Sequence, residues 1–155
     1  EQPVVRVDLL INASDVGRPG LLYVGSHDPA QTQAQFYTGA WQDWNGSLFP
    51  INTIIRNGLI NTSLSIPLND VSLKQGWKLY IGYGALTVDD EVKVQRAIET
   101  VAKARVKFPD RQVPVVDPDH YRRVLVQENM TKNVKYHYVR TWTPELTTLC
   151  DRRGR

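Results

Sequence analysis

A single cysteine, Cys150, serves all 155 residues of this chain. One thiol excludes any internal disulfide and disfavours the small extracellular folds that several bridges staple together, without deciding the compartment. Cys150 has no nearby Cys or His, and no two of His27, His120 and His137 stand at helical ligand spacing. The metal motifs are therefore missing. Also missing are a Gly-X-Ser-X-Gly nucleophile elbow and a Walker phosphate loop. No uninterrupted apolar run approaches the roughly 18 residues that span a bilayer. A charged-then-apolar leader is lacking too, so any signal peptide is expected to have been removed or never present. The start "EQPVV" suits a mature N-terminus after cleavage as well as an arbitrary chain boundary.

What is present describes an ordinary globular chain, 41% hydrophobic and 23% charged. Its length fits one domain, residues 1–155, with a basic C-terminal tail at about 150–155. The net charge of +3 hides an asymmetry. Residues 1–92 hold 5 Lys/Arg against 9 Asp/Glu, and residues 93–155 hold 14 against 7, so the halves carry −4 and +7. Charge of this kind can mark a surface for an acidic partner. Neither a recognition motif nor aromatics among the basic residues accompanies it, so nucleic acid is not the expected partner. Four Asn-X-Ser/Thr triplets begin at Asn12, Asn45, Asn61 and Asn129. Asn-, Ser- and Thr-rich turns generate such triplets by chance.

Strand signals dominate the first half. "VVRVDLLI" (Val4 to Ile11), "LLYVGS" (Leu21 to Ser26), "FYTGAWQDW" (Phe36 to Trp44) and "WKLYIGYG" read as strands. Asn45-Gly46 and Asn57-Gly58 are hairpin candidates, the second between "INTII" and "LINTSLSIPL". From Val88 to about Lys107 the pattern changes. Val94, Ala97, Ile98 and Val101 recur at three- and four-residue spacing and form one apolar stripe. Thr87 can cap this helix; Asp89, Asp90 and Glu91 suit its positive end; Pro109 stops it. The helix is expected to lay its stripe across a sheet. After a proline-punctuated connection, "RRVLVQE" and "VKYHYVRTW" read as two more strands around the turn "NMTKN". The order predicts an α+β domain with a mostly antiparallel β-sheet, a sandwich or half-open barrel, packed by one long amphipathic helix at about 88–107.

Between the strand "WKLYI" and that helix stands Gly82-Tyr83-Gly84, placed as a phosphate loop would be. A dinucleotide site needs a third glycine where Thr87 stands. It also needs a helix start free of the three carboxylates present here, which would repel a pyrophosphate. The glycines therefore read as a turn that lets the chain leave the strand. "HDP" and "DPDH" set His beside Asp, but in proline turns where Asp commonly bonds its own backbone. A His27/Asp119/Ser triad can be drawn, yet no spacing singles it out. No catalytic, cofactor-binding or metal-binding residue is expected, and no cofactor.

The aromatic group Trp41, Trp44, Phe49, Trp77, Tyr80 and Tyr83 is the best binding candidate. Trp41 and Trp77 are expected to fill the core, since large aromatics dominate sheet packing. Trp44, beside the Asn45-Gly46 turn, is the expected exposed member. Lys93, Arg96 and Lys103 can form a basic contact face on the helix. A carbohydrate-binding module using Trp44 and its neighbours is the alternative.

Three segments read together carry a resemblance: "VGRPGLLYVGSHDP", "GWKLYIGYGALTVDDEVKVQ" and "DPDHYRRVLVQENMTKNVKYHYV". They resemble a small exported domain of Gram-negative bacteria, the type IV pilus assembly and stabilisation factor type. The resemblance implies a periplasmic, non-enzymatic domain that supports pilus biogenesis or stability by contacting pilus or cell-envelope proteins. It brings no catalytic or ligand residues to this chain.

Overall fold

The computed structural model describes residues 4–67 and 75–142. Cys150 and the basic tail lie outside the described residues. Among the described residues, eight strands and two helices follow in the order β1 (Val4–Leu9), β2 (Gly20–His27), β3 (Ala34–Tyr37), β4 (Trp41–Asp43), β5 (Thr53–Ile55), β6 (Thr62–Pro67), β7 (Lys78–Ala85), α1 (Val88–Lys107), α2 (Pro118–Lys132) and β8 (Tyr136–Thr141). The class is α+β with antiparallel sheets, as expected, and the main sheet is not closed into a barrel.

That sheet runs β4-β3-β2-β7-β8, with β5 paired to the first residues of β2. A separate two-stranded sheet, β1 with β6, covers one face. Alternation sorts the side chains between the two faces. Leu22 and Val24 of β2, with Leu79, Ile81 and Tyr83 of β7, join Leu9 and Ile66 in the larger core. Trp41, Trp77 and Trp142 are buried there too, as expected for the first two. Leu21 and Tyr23 point to the other face and meet Leu86, Val126 and Met130.

Neither Asn-Gly dipeptide closes a hairpin. Gly46 does turn the chain at φ 88°, and Asn45 accepts from the Ser47 N–H. However, β5 leaves to pair with β2, and β6 pairs with β1. The hairpin of this region lies inside the expected strand Phe36–Trp44, which breaks at Gly39 (φ 105°) into β3 and β4. A local turn signal reports a bend. Which strands the bend joins is decided by the core each can reach.

The largest correction is "RRVLVQE", which is helix and not strand. Asp117 caps α2 by accepting from the Asp119 and His120 N–H groups, and Pro118 occupies the first turn, where its missing N–H costs nothing. α2, rather than α1, lies on the sheet. α1 has the predicted bounds and the Thr87 cap, but it packs mainly on α2. Of its stripe only Val94 is fully buried; Ala97, Ile98 and Val101 are half-covered. Arg122 ties the two helices with two bonds to Glu91, of 3.0 and 2.8 Å.

Gly82 and Gly84 explain why α2 holds that place. Both lie within β7 and neither has a positive φ, so the expected turn is absent. A Cβ on Gly84 would stand 2.1 Å from the Val126 carbonyl oxygen, and one on Gly82 would stand 2.8 Å from Tyr136 Cβ. The bare strand admits the helix backbone.

α2 ends with the Lys135 N–H bonded to the Met130 carbonyl at 3.0 Å and Val134 in the left-handed region at φ 51°. That position suits glycine, and a β-branched residue there is strained. Val134 is exposed, so Val134→Gly is expected to raise stability by about 1 kcal/mol. Thermal unfolding would show it as a rise of a few degrees. A lower melting temperature would contradict this.

Candidate functional site: an aromatic groove

α2 covers only part of its sheet face. Beyond its last turn, at Met130 and Thr131, the face stays open as a groove of about 500 Å³. Strand register dictates its floor. Phe36, Gly25, Tyr80 and Tyr138 lie in one row across β3, β2, β7 and β8, and Tyr23, Gly82 and Tyr136 in the next. Two walls rise beside the glycines. On one side Phe36 stacks on Phe49 with centroids 4.9 Å apart, and Trp44 meets Phe49 edge-on at 5.3 Å. On the other, His27 stacks on Tyr80 at 5.2 Å, and Tyr80 meets Tyr136 and Tyr138 edge-on at 6.3 and 5.9 Å. Gly25 keeps the floor low, since a Cβ there would meet the Phe36 ring at 3.0 Å.

Among the described residues no Asp, Glu, Lys or Arg lines the groove; its polar lining comes from Ser26, Gln31, Thr32, Gln33 and Thr131, with His27. The loop carrying Gln31, Thr32 and Gln33 is held by Asp28. Its carboxylate accepts from the Thr32 and Gln33 N–H groups and from the Thr32 hydroxyl. The Gln33 N–H first, then the Thr32 hydroxyl, hold the Asp28 carboxyl below the usual carboxylate range. Asp28 thus bonds its own backbone, as the proline-turn reading anticipates.

Tyr23 forms the inner end of the groove. It is 2% exposed, and its hydroxyl has no hydrogen-bond partner among the described residues. Burial pushes its pKa up, and the Arg123 charge opposes this only in part. A buried hydroxyl without a partner is costly and would gain from an acceptor on a ligand.

Trp44, Phe49 and Tyr80 are in the groove, whereas Trp41, Trp77 and Tyr83 are in the core of the opposite face. Trp44 keeps 37% exposure and satisfies its own indole N–H on the Ser47 carbonyl, so it offers a partner its ring. Lys93, Arg96 and Lys103 are exposed on α1, and none lines the groove. Lys93 is held by Asp90 at 3.2 Å. Arg96 shares a shallow surface depression with Glu91 and Glu99. The face is therefore mixed in charge.

His27 lies at the groove, while Asp119 stands at the start of α2 in an ion pair with Arg122, beside a different cavity. The structure does not bring that pair together. His120 is exposed on α2 and His137 on β8. Among the described residues no cluster of three His, Cys, Asp or Glu could hold a metal ion.

Tyr23, Phe36 and Tyr136 join the site without having been singled out from the sequence. Parity with Tyr80 along paired strands is the signal that would have found them. Among the described residues no helix is long and apolar enough to cross a membrane. No protein-family model, curated protein or solved structure matches this chain.

Proposed function

We propose that the chain is a non-enzymatic binding domain of the Gram-negative envelope, acting in the periplasm to support type IV pilus biogenesis or stability. Its groove would hold a segment of a pilus or envelope protein. The pilus assignment rests on the three-segment resemblance. The binding assignment rests on one observation: an open groove walled by aromatic rings, with no charged side chain among its described lining residues. Rings of this kind supply large contact area at little conformational cost, as binding hot spots do.

Deleting the gene and counting surface pili tests the reading. The deletion is expected to reduce piliation, and wild-type protein to restore it. Protein carrying Trp44→Ala with Tyr80→Ser is expected to fold, yet fail to restore pili. Normal piliation and twitching in the deletion strain would overturn the proposal.

A second reading is carbohydrate binding, favoured by the exposed Trp44 ring beside neutral amides and hydroxyls. Stacking on a sugar would make Trp44→Ala weaken glycan binding by at least about tenfold. A glycan array that shows no binding removes this alternative.

A further inference from the structure

A second cavity of about 440 Å³ lies between the first half of α2 and the β5 segment, lined on the α2 side by Asp119, Arg122, Arg123 and Val126. Leu21, Ile51, Ile54, Leu86 and Val126 give it an apolar interior, and Ile54 is 53% exposed at its edge. Its other face is cationic. Arg56, Arg122 and Arg123 all line the cavity, against one acid among the described residues, Asp119.

These arginines differ in how they are satisfied. Arg122 is saturated by Glu91 and Asp119. Arg123 donates through Nη2 to the Phe49 carbonyl at 2.8 Å, but its Nε is enclosed and meets no acceptor. Among the described residues neither Arg123 nor Arg56 has a carboxylate within ion-pairing distance. A half-buried guanidinium without a counter-ion is costly, and an arriving anion would offset that cost. Guanidinium matches carboxylate geometry, often through two parallel bonds.

We propose that this cavity is a binding site for an aliphatic carboxylate. The chain of the ligand lies over the Leu21–Val126 floor, and its head group pairs with Arg56 and Arg123. Asp119 at the same rim favours a single negative charge over the two of a phosphate monoester. The site is separate from the aromatic groove, because the two cavities share no lining residue.

Octanoate, 1-octanol and acetate, titrated separately and followed by amide chemical shifts, test this. Octanoate is expected to bind saturably, with shifts at β5 and the first half of α2. The alcohol, with the same chain and no charge, should bind at least about tenfold more weakly, and acetate should not bind detectably. Arg56→Gln, at an exposed position, should weaken octanoate by about tenfold. Ile54→Glu, also exposed, should abolish binding by setting a carboxylate at the cavity edge. Equal affinity for octanol and octanoate, shifts confined to the aromatic groove, or no saturable shift would each overturn the proposal. So would unchanged affinity in both variants.

Discussion

Gly84→Ala is expected to destabilise the domain by roughly 3 kcal/mol, near the top of the range for an added methyl group in a packed interior. The new Cβ would fall 2.1 Å from the Val126 carbonyl oxygen and 2.8 Å from Val126 Cγ1. An oxygen in the helix backbone cannot rotate away. Either α2 lifts from β7 or the strand bends, and both expose Leu21, Tyr23 and Val126. Gly82→Ala should cost less, because its neighbours at 2.8–2.9 Å include the flexible Met130 sulfur. Equilibrium urea unfolding of the two variants checks the order, and thermal unfolding should show Gly84→Ala lowered by roughly 10 °C. A Gly84→Ala protein as stable as wild type would mean that α2 is not seated on the bare strand. Fluorescence of Trp44 reads the functional side. Lifting α2 also moves Gln127 and Arg123, which bond the Phe49 N–H and carbonyl beside Trp44.

The same glycine pair shows where sequence reasoning succeeds and where it stops. The missing third glycine and the acidic start of α1 argue against a phosphate loop from local chemistry alone. What the glycines do instead depends on which helix arrives above them, and that is a tertiary fact. α1 was legible because stripe, cap, charge gradient and proline stop all agree over twenty residues. α2 was hidden because Val124, Leu125 and Val126 make a short apolar run that fits a strand equally well. Asp117-Pro118, a capping residue before a first-turn proline, was the available sign of a helix. The groove was half legible. Trp44, Phe49 and Tyr80 stand out by residue type, but Tyr23, Phe36 and Tyr136 belong with them only through strand register. That register is set by pairings such as Gly25 with Tyr80, far apart in the chain.

The second large effect is expected at a buried ion pair that residue type and spacing do not announce. Lys135 Nζ lies 2.8 Å from Asp15 Oδ2, with side chains only 9% and 6% exposed. The Tyr83 hydroxyl donates to the same carboxylate at 2.7 Å and accepts from the Asn12 N–H at 3.0 Å. Asn129 Oδ1 accepts from Lys135 and from the Ala85 N–H, both at 2.9 Å. Lys135→Met would leave Asp15 buried without its counter-charge, at a cost of about 3–5 kcal/mol. Asp15→Asn strands the ammonium instead and should cost a similar amount. The double variant should lose less than the sum, because neither charge is then left alone. Urea midpoints for the three proteins measure this coupling, and strict additivity would show that the pair does not act as a unit.

Tyr83 adds a pH dependence to the cluster. Burial, and then the bond to Asp15, push its phenol up to about 12 from an ordinary value of 10. The unfolded chain therefore loses this proton first as pH rises. The contribution is fully present below pH 10 and is lost between about 10 and 12. Tyr83→Phe should flatten that alkaline limb while lowering stability at neutral pH, since Asp15 loses a donor and the Asn12 N–H an acceptor. The cluster joins the loop after β1, the end of β7 and the residue before Tyr136, which stands in the groove wall. Lys135→Met should consequently weaken groove binding even in the fraction that stays folded. A retained groove affinity, measured under conditions where circular dichroism shows the variant folded, would separate the buried pair from the site.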